Sequence, residues 1–451
     1  MEKTMLSDRN IGRLLLKMSA PATIGMLVMS MYNVVDAIFI GRGVGTAGIA
    51  AVAIAFPIQM IVGAIGQMVG IGGASLLSRR LGAKDYETAN LILGNVIAAI
   101  SVMSLTITGL GYLYMDSLLQ LFGATDSILF FAEQYLKYIL AGVFMHSLAM
   151  ALNNLVRAEG KPKIAMTTML VSSVINLILD AIFILGLDMG IRGAAIATLI
   201  AYVASATFLV VYFLSGKSIL KFHLSEIRFT KTIQREIYAI GVSAFIRQAA
   251  MSLLVILLNN TLGNYGGDLA IAVYGVVMRL VMLIFTPIMG IAQGFQPIAG
   301  YNFGAQDYQK TKESFWLAMV AATAISIVGT MMLMFFPELS MKIFSDDPRL
   351  ITEGQGALRY MILAFPTVGF QVIGTTLFQA IGKATQTFVL TLARQFLFLI
   401  PLVIVMPRFF QINGIWMSFP IADILSFLLT LWLLIPVRNR YANRINLTEN
   451  A

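Results

Sequence analysis

Long apolar blocks, each close to the length that crosses a lipid bilayer, constrain this chain more than any other feature. Segments such as 91–114 and 389–406 are apolar almost throughout, without the period-3.6 stripe of a soluble amphipathic helix. A hydrocarbon core roughly 30 Å thick needs about 20 helical residues to cross it. Twelve stretches qualify: 14–40, 49–76, 89–112, 134–156, 164–186, 194–215, 238–262, 269–297, 314–336, 357–380, 386–406 and 414–436. The expected fold is therefore an all-α integral membrane protein with twelve transmembrane helices. Composition agrees, because 58% of the 451 residues are hydrophobic and only 12% are charged, whereas about a quarter of a soluble domain is charged.

The first residues are polar and basic (Lys3, Arg9, Arg13, Lys17), and the apolar stretch behind them is too long for a cleavable leader. The first helix is expected to stay in the mature protein. Cysteine is absent, which excludes disulfides, thiol nucleophiles and cysteine metal sites. A net charge of +9 invites a nucleic-acid reading, but the basic residues sit in alternate connections between blocks. Arg79, Arg80 and Lys84 form one group, Arg157, Lys161 and Lys163 another, and five more lie between Lys217 and Arg235. This is the positive-inside pattern of a multi-pass protein of the cell membrane, with both termini in the cytoplasm and no nucleic-acid partner.

A duplication organises the blocks. Gly82-Ala83-Lys84-Asp85-Tyr86 recurs as Gly304-Ala305-Gln306-Asp307-Tyr308, and Arg157-Ala158-Glu159-Gly160-Lys161 recurs as Gln379-Ala380-Ile381-Gly382-Lys383, both at an offset of 222 residues. Two matches at one offset indicate a repeated six-helix unit. The longest polar stretch, 215–237, is the natural linker between an amino-terminal lobe (1–214, helices one to six) and a carboxy-terminal lobe (238–451, helices seven to twelve). Two pseudo-symmetric six-helix lobes inserted in the same orientation place a substrate site between them near the midplane.

Ionisable groups inside a bilayer are costly and are functional candidates by default. Asp36 lies in the first block within Tyr32-Asn33-Val34-Val35-Asp36, and Asp180 in the fifth within Asn176-Leu177-Ile178-Leu179-Asp180. Spacings of three and four residues put Asn33 with Asp36, and Asn176 with Asp180, on shared helix faces. Thr198 and Tyr202, four apart in the sixth block, add hydroxyl oxygens. Together these could hold a proton or a dehydrated Na⁺, since hard cations prefer carboxylate, amide and hydroxyl oxygens. The alternative role for each aspartate is to brace a helix near the membrane edge. The repeat partners of Asp36 and Asp180 are Leu258 and Leu402, so the acidic cluster belongs to one half only.

Pro21 removes a hydrogen bond in the helix that carries Asp36 and is a candidate hinge, or else an early-turn proline with no moving part. In the second half, Arg247 (beside Gln248), Arg279 and Arg394 lie within apolar blocks, and Asp423 is the acid available to pair with them. A structural pair such as Arg279 with Asp423, or an anion pocket, would account for this polar set. His146 is read as a packing residue or a proton relay. The 27 methionines suit an adaptable lining. Gly43-Val44-Gly45-Thr46-Ala47-Gly48 matches the dinucleotide fingerprint literally but follows a membrane helix rather than a strand. No P-loop, HExxH motif or serine–histidine–acid signature is present, so neither ATP hydrolysis nor an enzyme activity is expected, and no cofactor beyond a coupling ion.

The proline-bearing segment from Pro21 to Asp36, the Leu-Gly-Ala-Lys-Asp-Tyr run at 81–86, Arg157-Ala158-Glu159-Gly160, the run from Asn176 to Asp180, and Gly193-Ala194-Ala195 through Thr198 together resemble the multidrug and toxic compound extrusion (MATE) family. The likeness covers nearly the whole chain. It implies two six-helix lobes and export of drugs or toxic amphiphiles coupled to inward H⁺ or Na⁺ flow by alternating access. These residues look like the branch whose cation site lies in the amino-terminal lobe. That branch implies coupling roles for Asp36, Asn176, Asp180 and Thr198, with Tyr32, Asn33, Ala194 and Tyr202 in support. A monomeric carrier surrounded by membrane lipid is expected. A lipid-linked precursor flippase, motivated by the three arginines, is the rival reading.

Overall fold

The computed structural model describes residues 5–221 and 223–449, and among these residues helices alternate with short turns and no strand occurs. Ten helices are long and apolar enough to cross a membrane, and the bent pair Pro348–Ile362 and Phe365–Ala380 adds an eleventh. The run Lys231–Gly304 is itself two helices joined at Gly267, whose φ of 63° and ψ of −164° interrupt the helix. Twelve spans are therefore present among the described residues, matching the twelve apolar blocks. Side chains such as Leu105, Leu113 and Val328 stay exposed, as a surface solvated by lipid requires.

The helices overrun the apolar blocks because polar residues cap their ends. Asp85 accepts a hydrogen bond from the Thr88 N–H at 3.1 Å at the head of the third span, Tyr86–Leu113. Asp307 does the same for Lys310 at 3.0 Å ahead of Tyr308–Phe335, each satisfying an otherwise orphaned donor. These two helices share the 222-residue offset at both ends, as do the starts of the short helices Met115–Leu121 and Pro337–Lys342 that follow them. Left-handed turn residues repeat with the same register: Lys84 (φ 59°) with Gln306 (φ 63°), and Gly160 (φ 85°) with Gly382 (φ 77°). The duplication is thus written in caps and turns as well as in side chains.

Packing sorts the chain into two compact units. Ile24–Gln248 fall in one, and Asp8–Thr23 with the chain from Ala249 onward in the other. The polar segment 215–237 is fastened to the first unit. Lys221 N–H donates to Asn90 Oδ1 at 2.9 Å, Thr230 N–H to Asn95 Oδ1 at 2.7 Å, and Gln234 Nε2 to the Asn95 carbonyl at 2.9 Å. The packing division falls beyond this segment, between Gln248 and Ala249 in the seventh span.

The first span, Ile11–Gly43, is one unbroken helix through Pro21, yet its two ends belong to different units. Its beginning fits the second unit because Gly290 and Gly294 lack side chains. A β-carbon on Gly290 would sit 2.9 Å from the Thr23 Cα, and one on Gly294 2.7 Å from the Ser19 nitrogen. Pro21 lies two residues before the change of packing partner.

Glu159, just past the fourth span, is 1% exposed. It accepts hydrogen bonds from the Tyr212 hydroxyl, the Ser218 hydroxyl at 2.7 Å and the Ile219 N–H at 3.2 Å, tying the end of the sixth span to the segment that follows. Burial pushes its pKa above the ordinary glutamate value of 4.5 despite these donors. The folded protein therefore holds a proton that the unfolded chain releases. This contribution to stability is complete below the unfolded pKa and is lost as pH rises through the raised folded value. Thermal melts of purified wild type and Glu159→Gln should diverge as pH climbs from about 4.5, wild type losing ground to the variant; parallel curves would contradict the assignment.

Candidate functional site

Asp180 ends the regular part of the fifth span, Pro162–Asp180, and the six residues that follow, Ala181–Gly186, form a π-turn. Wide turns of this kind concentrate at functional sites. Asp180 is fully buried, and Asn176 and Thr198 nearly so. With Nδ2 toward the acid, the Asn176 amide donates to Asp180 Oδ2 at 2.8 Å, while its oxygen receives the Thr198 N–H at 3.2 Å. The Thr198 hydroxyl lies 3.3 Å from the same amide oxygen. The Thr198 hydroxyl donates to the Ala194 carbonyl at 3.0 Å, fixing the far end of the chain of contacts.

Asp36 completes the cluster from the first span. Its carboxyl lies within hydrogen-bonding range of that of Asp180, an approach that costs least when the two share a proton. The remaining oxygen of each, Oδ1, is buried with no hydrogen-bond partner. Unsatisfied buried acceptors are expensive, and a bound cation or proton would relieve them. The unpartnered oxygens of Asp36 and Asp180 are the groups here that could hold either ion.

An aromatic wall surrounds the pair. Tyr32, Tyr135 and Tyr202 lie within electrostatic reach of Asp36, and Gln59 Nε2 donates to the Tyr135 hydroxyl at 2.9 Å. Tyr202 stacks on His146 with ring centroids 4.2 Å apart. Gly142 permits this seat, because a β-carbon there would lie 2.9 Å from the Tyr202 ring. Gln59 and Tyr135 were not legible as site residues in the sequence, since Gln59 stands alone in an apolar block and Tyr135 lies among the polar residues Glu133, Gln134 and Lys137 at the edge of its block. The side chain of Asn33 lies outside the described residues. Pro21 is not part of this cluster.

The expected polar set of the second half divides. Asp423 pairs with Arg394, Nε to Oδ1 at 2.6 Å, and not with Arg279, which is exposed. The pairing expected from sequence is corrected because the eleventh and twelfth spans, not the eighth, bring a guanidinium to the acid. Arg247 is half-buried and belongs, with Gln248, to the unit that holds Asp180. Gln248 Nε2 donates to the Met60 sulfur at 3.0 Å.

A duplicated twelve-span scaffold with two intramembrane acids brought together in one copy is that of a membrane transporter. The MatE family profile matches residues 21–182 and again 243–405, and the chain is a member of that family. It is 31% identical over 429 residues to the multidrug export protein MepA of Staphylococcus saprophyticus, covering 94% of this chain and 93% of that one. Among solved structures it is similar to the MATE multidrug transporter DinF-BH in complex with rhodamine 6G, at 42% identity and a TM-score of 0.90, covering 98% of each chain. It also matches a MATE in the bent conformation, at 26% identity and a TM-score of 0.91, covering 99% of this chain and 98% of that one.

Thr198 is the residue on which the amide's position rests. Thr198→Val should cost about 1 kcal/mol, the net worth of a buried hydrogen bond, seen as a lower melting temperature, whereas Thr198→Ser should melt like wild type. Equal melting of the valine variant would remove Thr198 from the network.

Proposed function

We propose that this protein is a multidrug exporter of the cell membrane, driven by H⁺ or Na⁺ bound at the Asp36–Asp180 pair. The observation that carries the reading is the approach of the Asp36 and Asp180 carboxyls to within hydrogen-bonding range, with a buried, unpartnered oxygen left on each acid. The names of the relatives, multidrug export proteins and a multidrug transporter in complex with rhodamine 6G, support the substrate class. Both termini are assigned to the cytoplasm by the distribution of basic residues, and the carrier works as a monomer.

The cycle runs by alternating access. An outward-facing form takes up the ion at Asp36 and Asp180, where Asn176 and Thr198 complete the ligand set. Charge neutralised there alters the contacts of the first helix from Ile24 onward, the helix bends at Pro21, and the drug is released outside. The emptied carrier then returns inward. Substrates are amphipathic and often cationic, held by aromatic and methionine side chains. A flippase for lipid-linked precursors rested on three intramembrane arginines, of which Arg279 is exposed and Arg394 is largely neutralised by Asp423, so neither offers a pyrophosphate an uncompensated buried charge.

Ethidium efflux from proteoliposomes under separately imposed pH and Na⁺ gradients tests the reading and names the ion. Asp36→Asn and Asp180→Asn, which keep the shape and lose the charge, should each reduce gradient-driven efflux at least about tenfold at unchanged protein content, the loss expected when an essential ion ligand is neutralised. Efflux retained in Asp180→Asn would sink the assignment.

A further inference from the structure

Arg394 stands at the second position of another π-turn, Ala393–Leu399, in the unit that lacks the acid pair. Its Nε is spent on Asp423 Oδ1 at 2.6 Å, but the side chain is 34% exposed where that of Asp423 is 2% exposed. A guanidinium carries five N–H donors in a fixed fork. Among the described residues, the Nη edge makes no hydrogen bond or ion pair beyond the contact with Asp423. Intramembrane arginines face the protein interior or a watered cavity rather than lipid.

The surroundings are built to hold that edge in place. The Asp423 carbonyl accepts from Gln371 Nε2 at 2.9 Å, and Gln371 is steadied by the Thr367 hydroxyl at 3.0 Å. Tyr274 lies within electrostatic range of Arg394, and its ring stands 6.2 Å from that of Phe419. A fixed guanidinium edge beside an aromatic wall makes an amphipathic recognition site rather than a bare structural pair.

We propose that the free Nη edge of Arg394 receives the carboxylate of zwitterionic or anionic amphiphiles, giving the carrier a second recognition site in the carboxy-terminal unit. A monoanion fits better than a phosphate dianion. Asp423 already offsets most of the arginine's charge, and a second uncompensated negative charge would be costly in a low dielectric. The planar fork matches a carboxylate in two parallel hydrogen bonds. The proposal rests on the export reading for its substrate class, but it concerns binding and needs no ion gradient.

The test measures binding to the full-length protein in lipid nanodiscs with no gradient, using rhodamine 6G, an ethyl ester, and the corresponding free acid. Wild type should bind the zwitterionic acid about tenfold more tightly than the ester, equivalent to ~1.4 kcal/mol. The double variant Arg394→Gln with Asp423→Asn, which strands no buried charge, should lose that preference and bind the ester as wild type does. Arg394→Lys, which keeps the charge without the fork, should retain only part of it. Equal binding of acid and ester by wild type, a comparison that needs no variant to fold, would overturn the proposal, as would a preference that survives in the double variant. Failure of the export reading would show instead as both dyes binding with no gradient-driven efflux of either.

Discussion

Hydrocarbon offers no hydrogen bonds, and every polar group placed in it must find its partner within the protein. That constraint makes each apolar block a helix, puts polar caps such as Asp85 and Asp307 at the ends, and leaves carbon side chains facing outward. It also makes the few buried polar groups conspicuous. Asp180 with Asn176 and Thr198, and Arg394 with Asp423, are each held by bonds that would be optional in water and are obligatory here.

The two copies of the repeat share a scaffold and differ in chemistry. Caps, turns and helix starts recur at one offset, whereas the acids of the first copy face leucines in the second. Leu258, the counterpart of Asp36, is fully buried, so the same position packs an apolar side chain in the second copy. The second copy places its own buried acid elsewhere, on the twelfth span, and neutralises it with Arg394. One copy is left with an acid pair short of a cation and the other with an acid already supplied with one.

The first span links these halves along the chain. Its early residues pack with the unit of Arg394, and its later residues, including Asp36, with the unit of Asp180. Pro21 stands close to that change of partner, in a helix that runs through it unbroken. A proline lacks the N–H that would bond the carbonyl one turn back, so this is where the helix resists bending least. Asp36 and the weak point therefore lie on one rod.

How far the sequence alone reaches follows from which interactions are local. Twelve spans and the duplication were legible because block length and spacing are properties of neighbouring residues. Asn176 with Asp180 was legible for the same reason, being four apart on one helix. Its closure onto Asp36 and Thr198 joins three helices, and the seating of Tyr135 and of Tyr202 on His146 depends on helix approach, which no local pattern encodes. The partner of Asp423 was misassigned for the same reason. Arg279 and Arg394 are equivalent as intramembrane arginines in sequence, and only the packing of the eleventh span against the twelfth decided between them. Sequence determined the solvent, the spans and the carriers of charge, because those depend on composition and spacing; tertiary structure decided which charges meet, because that depends on where distant helices cross.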